Sequence, residues 1–181
     1  TVYLGYFKID GNRGAVGTHS GIDLVNLGGP TVKGNPSGDF TVESLLMQES
    51  PGWSHLSLAA PCQSAKIINN TIFGSANAHN GQGQWSHGMS ISCSKAKVDG
   101  NRIYDASNVA IVYLGGPNTV ISNNQIFQNN GSGFGGINVG DAATTDHTGV
   151  QIVNNKISVA SLQHLHSGFA SSKHPEEAWE W

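Results

Sequence analysis

Lys97-Val98-Asp99-Gly100-Asn101-Arg102-Ile103-Tyr104 is one copy of a pattern that recurs along the chain. Ile67-Ile68-Asn69-Asn70-Thr71-Ile72-Phe73 states it earlier, and Val120-Ile121-Ser122-Asn123-Asn124-Gln125-Ile126-Phe127 and Gln151-Ile152-Val153-Asn154-Asn155-Lys156-Ile157 state it later. Each copy has a β-branched residue, one variable residue, an Asn-Asn or Gly-Asn step, and an Ile two places after the second Asn. Asn70, Asn101, Asn124 and Asn155 are 31, 23 and 31 positions apart. Strand-like units at such a period indicate a solenoid.

The physics of the unit is short. Ile67, Val98, Ile121 and Ile152 point into a core, and so do Ile72, Ile103, Ile126 and Ile157 on the next strand. Between them the chain bends sharply, and Asn and Gly enter left-handed backbone conformations at low cost. Stacked copies put Asn on Asn, and ladders of like amides satisfy one another. A further apolar-other-apolar strand precedes each unit: Ile22-Asp23-Leu24, Leu56-Ser57-Leu58, Met89-Ser90-Ile91, Ile111-Val112-Tyr113 and Ile137-Asn138-Val139. Three short strands per turn define an all-β parallel β-helix of about six coils. Phe7-Lys8-Ile9-Asp10-Gly11-Asn12-Arg13 reads as a first copy of the bend, which would put Asn12 in the Asn column, and Leu45 reads as an irregular one.

The chain resembles the right-handed parallel β-helix proteins of the pectin-lyase-like superfamily, and is similar to secreted fungal members of it. The likeness rests on Gly135-Gly136-Ile137-Asn138-Val139-Gly140-Asp141, Trp85-Ser86-His87-Gly88-Met89-Ser90-Ile91 and Ser50-Pro51-Gly52-Trp53-Ser54-His55-Leu56. It covers roughly residues 5 to 160 and is specific for the fold. For activity it is weak, because this architecture hosts lyases, hydrolases, isomerases, tailspikes and adhesins alike.

Composition narrows the classes. The 181 residues suit one domain, and a solenoid needs no larger core. Charged residues are 12% and the net charge is −3, which excludes a nucleic-acid binder relying on a basic surface. No apolar run reaches membrane-spanning length, so no membrane partner is expected. The chain begins mid-pattern at Thr1-Val2-Tyr3-Leu4, as a mature, trimmed or fragmentary sequence would.

Cys62 and Cys93 each lie five residues before the β-branched residue that opens a unit, Ile67 or Val98, and so occupy the same place on adjacent coils. Neighbouring strands sit about 4.8 Å apart, within disulfide reach. A Cys62–Cys93 bridge is expected, with a stacked pair of buried thiols as the alternative. A bridge implies an extracellular protein, and Asn69-Asn70-Thr71 and Asn130-Gly131-Ser132 are glycosylation acceptor patterns that suit secretion.

The repeat reads as one domain over residues 1–161. Residues 162–181 form a tail, in which Ser171-Ser172-Lys173-His174-Pro175-Glu176-Glu177 resembles a helix start. Such a tail is a candidate cap for the open end of the solenoid, where unpaired backbone groups would otherwise recruit another copy and give a homo-oligomer.

Chemistry is expected along the outward strip of the strand before each unit. Asp23, Ser57, Ser90, Val112 and Asn138 form one column, and Gly21, His55, Gly88, Ala110 and Gly136 stand beside it. A groove walled by the long loops suits a polysaccharide better than a compact ligand. Trp85 is a candidate for stacking on a sugar ring, with His55, Asn138, Asp23 and Asn108 as further substrate-binding candidates, whereas Trp53 reads as core. Hydrolysis needs paired carboxylates. Elimination needs a base plus cations, either Arg or Ca²⁺, that neutralise the sugar carboxylate. Arg13 and Arg102 both follow a bend Asn, away from the strip, so hydrolysis is favoured over elimination. No cofactor is expected, save Ca²⁺ if the protein were a lyase.

The resemblance implies acids at the positions of His87, Asn108 and Asp141, of which only Asp141 is retained. That leaves an inactive protein or a changed mechanism, with His87 as general base and Asp141 or Asp105 as its acidic partner. A turn-capping role is the alternative for each Asp. His164 and His166 alternate without a third ligand, so no metal is assigned. The two readings are a secreted polysaccharide-cleaving protein and a non-catalytic glycan-binding or assembly β-helix.

Overall fold

The computed structural model describes residues 2–17, 24–28, 39–74, 85–130, 133–140, 145–160 and 165–172. The first coil runs through β1 (Val2–Gly5), β2 (Lys8–Asp10), a single helical turn α1 (Arg13–Val16) and β3 (Val25–Gly28). The second holds β4 (Phe40–Glu43), β5 (Leu46–Gln48) and β6 (Ser54–Ala59), and the third β7 (Lys66–Ile68), β8 (Thr71–Phe73) and β9 (His87–Ser92). The fourth follows with β10 (Lys97–Asp99), β11 (Arg102–Tyr104) and β12 (Val109–Gly115). β13 (Val120–Ser122), β14 (Gln125–Gln128) and β15 (Gly133–Gly140) make the fifth. β16 (Gln151–Val153), β17 (Lys156–Val159) and β18 (Leu165–Ser172) make the sixth. Every strand pairs in parallel with its counterparts on the neighbouring coils, giving three six-stranded sheets. The all-β parallel β-helix is as the repeat predicts.

The inward columns are apolar. Val42, Ile67, Val98 and Ile121 line the first sheet, Met47, Ile72, Ile103 and Ile126 the second, and Leu56, Met89, Ile111 and Ile137 the third, all essentially sealed from solvent. Each such side chain contributes roughly 1.5–3 kcal/mol relative to exposure.

The bend between first and second sheets has a fixed backbone. Tyr6, Ser44, Asn69, Gly100, Asn123 and Asn154 are all left-handed, with φ of 62, 54, 56, 67, 55 and 57°. The residue after each forms the ladder column. Asn70 Nδ2 donates to Asn101 Oδ1, Asn101 Nδ2 to Asn124 Oδ1, and Asn124 Nδ2 to Asn155 Oδ1, each at 2.9 Å. Each Oδ1 also accepts the backbone N–H of the Asn one coil earlier. The second amide hydrogen goes to a carbonyl of the preceding coil, Val42, Ile67, Val98 or Ile121. The buried amides are thus fully paired.

Asn12 does not join this column. Lys8 pairs with Leu46, so Phe7 stands beneath Leu45, and Asn12 (φ 50°) instead stands at the N-cap position of α1, without a side-chain capping bond. A left-handed Asn satisfies either setting, which is why Gly11-Asn12 imitates the bend. The first coil also departs at its third strand: Val25, not Ile22, pairs with Leu56. Both triplets have the same apolar-polar-apolar pattern, so local periodicity cannot separate them.

The third sheet continues beyond Ser161, because β18 pairs with β15 from Gly133–Leu165 to Gly140–Ser172. The expected boundary at 161 therefore falls inside the sixth coil, and Ser171 and Ser172 end a strand rather than start a helix. Residues 173–181, where the helical tail was expected, lie outside the described residues. Cys62 and Cys93 are bridged, with Cα atoms 4.6 Å apart, at the corner from third to first sheet. On the outer face of the second sheet Phe73, Tyr104 and Phe127 stack with centroids 5.0 and 4.9 Å apart, adding about 0.5–1.5 kcal/mol per pair beyond burial.

Candidate functional site

The strip expected along the third sheet is only partly outward. Ser57 and Ser90 retain exposure, whereas Val112 and Asn138 on the same column are buried. The neighbouring column turns inward. His55 is 0% exposed, and a Cβ on Gly88 or Gly136 would lie 2.8 Å from Ile103 Cγ2 or 2.7 Å from Ile157 Cδ1, both core atoms of the second sheet. Two successive residues, His55 and Leu56, thus face the interior where the chain rounds the corner into the strand, and strict alternation fails there. The expectation that His55 borders an open groove is corrected: it fills an interior slot that the other coils give to Gly88, Ala110 and Gly136.

His55 is held as a neutral ring. Its Nε2 accepts the Ser50 N–H at 3.3 Å and its Nδ1 donates to the His87 carbonyl at 2.9 Å, with Ser86 Oγ 3.4 Å away. His87 Nδ1 accepts the Val109 N–H at 3.3 Å. Burial pushes both imidazoles down to about 4. Below its ordinary range and with Nδ1 spent on the backbone, His87 is a weak general base. Both rings serve first to satisfy the polar corner of the coils.

Asp105 is likewise engaged. It is left-handed (φ 52°), its Oδ1 accepts the N–H groups of Asn129 and Asn130 at 2.6 and 2.9 Å, and its Oδ2 accepts the Asn130 amide at 3.2 Å. This is the turn-capping alternative, realised between the fourth and fifth coils. Asn108 and Asn138 are buried to 8% and 3% exposure, and the Oδ1 of each has no hydrogen-bond partner among the described residues. Such orphaned acceptors cost about 1–3 kcal/mol each unless something else pairs them. Asp23 and Asp141 lie outside the described residues, as does His164.

Aromatic rings gather at the start of the third-sheet strands. Trp85, just before β9, is 38% exposed and packs on Phe134 of β15 with centroids 4.4 Å apart and planes at 53°. Trp53 is 45% exposed, contrary to its reading as core. Phe134 was not singled out from sequence, since nothing marks one Phe among Gly-rich residues as the partner of a ring two coils away. Arg13, expected away from the strip, is instead buried at this end, donating to the Ser50 carbonyl at 3.1 Å close enough to His55 to act on its charge, while Arg102 lies exposed on the second sheet.

At the opposite end of the same strands is a cavity of about 450 Å³, lined by residues of four successive coils including the cystine, Pro61, Leu114 and Asp146. The Thr148 backbone N–H holds the Asp146 carboxyl below the usual carboxylate range. Sequence reading missed this site; its only signal was Leu114, an apolar residue followed by Gly115-Gly116-Pro117. Among the described residues no group of three or more His, Cys, Asp or Glu is placed to hold a metal, and no helix is long and apolar enough to cross a membrane. The arrangement offers half-exposed aromatic rings and partly exposed hydroxyls at the surface, with two orphaned amide oxygens buried beneath.

The sequence matches the family described as "Right handed beta helix region" over residues 52–175. No curated protein and no solved structure matches the chain.

Proposed function

Since this chain belongs to the right-handed β-helix family, we propose that it is a secreted carbohydrate-active β-helix that binds a polysaccharide along the outer side of its third sheet. The carrying observation is the half-exposed Trp85–Phe134 pair at the mouth of that sheet. Aromatic faces stack on the apolar face of a sugar ring, and the partly exposed Ser57 and Ser90 on the same sheet offer hydroxyls to its polar edge. The cystine supports an oxidising, extracellular setting. Binding is better supported than cleavage, because His87 is held neutral and Asp105 is spent on a turn.

Cleavage is the second reading, and it rests on Asp141, which directly follows β15 and stands three residues after Asn138. A glycan panel assayed for retention and for sugar release separates the two. Trp85→Ala is expected to lower retention about tenfold, equivalent to about 1.4 kcal/mol; unchanged retention would overturn the groove. Release of reducing ends or unsaturated products, lost in Asp141→Ala, would establish an enzyme.

A further inference from the structure

We propose that the cavity at the disulfide corner is a second carbohydrate subsite, one that takes a neutral sugar unit and rejects a uronate. This deepens the glycan-binding reading and rests on it. At about 450 Å³ the cavity is within the range of small-ligand sites. Its apolar part is Pro61, the cystine and Leu114, whose side of the strand is 42% exposed. Its polar part is Gln63, Ser92, Ser94 and Thr145. That mixture matches a pyranose, which has an apolar ring face and a hydroxyl-bearing edge.

Charge sets the class. The lining includes the acidic residue Asp146 and, among the described residues, no cation. A uronate here would set carboxylate against carboxylate with nothing to offset the repulsion. The wall is rigid: a Cβ on Gly116 would lie 2.4 Å from the Cys93 backbone, and the cystine ties two of the contributing coils.

A second observation points to an absent partner. His147, next to Asp146, packs on Tyr113 with centroids 5.5 Å apart, and its Cε1 is 3.9 Å from where a Cβ of Gly115 would stand. Both of its ring nitrogens are buried with no hydrogen-bond partner among the described residues. His147 itself does not line the cavity, so its unpaired ring nitrogens call for a water ordered in the corner behind Asp146 rather than for the ligand directly. Strands of the third sheet run from the Trp85–Phe134 end to this cavity, roughly 20 Å at about 3.3 Å per residue, so one extended chain reaches both.

The test is calorimetric titration of the full chain with neutral hexaoses (gluco-, xylo- and manno-) and with hexagalacturonate. Wild type is expected to bind at least one neutral hexaose and to bind hexagalacturonate more weakly. Ser92→Tyr, which fills the cavity, and Gln63→Ala, which only trims it, are each expected to weaken the neutral ligand by about tenfold with the melting transition retained. Asp146→Lys is expected to shift preference toward hexagalacturonate. If Trp85→Ala abolishes binding while Ser92→Tyr and Gln63→Ala leave it unchanged, the subsite is overturned and the groove stands. Equal binding of hexagalacturonate and the neutral ligands by wild type overturns the charge argument, and binding of none overturns both readings.

Discussion

The bend between first and second sheets is built in two ways within one molecule. In the last four coils Asn70, Asn101, Asn124 and Asn155 form a hydrogen-bonded column, while in the first two Phe7 and Leu45 occupy the same place. The left-handed residue before them is constant, from Tyr6 to Asn154. The turn is therefore set by that residue, and the ladder residue does a different job: it satisfies the N–H groups of its neighbours. Leu45 shows the changeover, since its side chain is core while its N–H still donates to Asn70 Oδ1 at 3.0 Å.

The largest effect is expected from breaking the column in its middle. Asn101→Ala removes the acceptor of the Asn70 N–H and Nδ2 groups and the donor to the Ile67 carbonyl. With buried orphans at about 1–3 kcal/mol each, the loss should be about 4 kcal/mol by urea unfolding. Leu45→Ala tests the apolar half through a cavity alone, and about 3 kcal/mol is expected. Asn155→Ala trims the half-exposed end, where the Asn124 donors lose their acceptor and the Ile121 carbonyl its side-chain donor, and should cost about 1–2 kcal/mol. The smallest change, Ser44→Asn, keeps the left-handed position (φ 54°) and gives it a residue that visits it readily; stabilisation of about 0.5 kcal/mol is expected.

Acid sharpens the contrast, because amides do not titrate and the buried imidazoles do. The folded His55 ring titrates at about 4, against 6.5 for an unperturbed histidine. Between those values the unfolded chain binds the extra proton, so stability is complete above about 6.5 and falls as the pH drops towards about 4. His55→Gln should remove about half of that slope in denaturation curves, the rest being carried by His87, whereas Asn101→Ala should lower stability equally at every pH.

The repeat was legible because its units are local: a β-branched residue, a left-handed step and an Ile carry their own conformational preferences. What failed were features that depend on neighbouring coils. Asn12 has the backbone of the bend yet stands at the N-cap position of a helical turn, and Ile22-Asp23-Leu24 is indistinguishable in pattern from Val25-Asn26-Leu27, which makes the strand. His55 was misplaced because alternation is broken at the corner, and its burial is tolerated through groups of Ser50, Ser86 and His87 that lie apart in sequence. The site was less legible than the fold for the same reason: Phe134, Leu114 and His147 acquire meaning only from residues one or more coils away.

The cystine has a mechanical consequence. It joins residues 31 apart at the corners that open and close the third coil, so a chain pulled from its two ends would peel coil by coil and then skip that segment. At about 3.5 Å of contour per residue, roughly 110 Å of length stays hidden until a reductant is added. The oxidised protein should therefore show a shorter final extension under force than the reduced one, by about that amount.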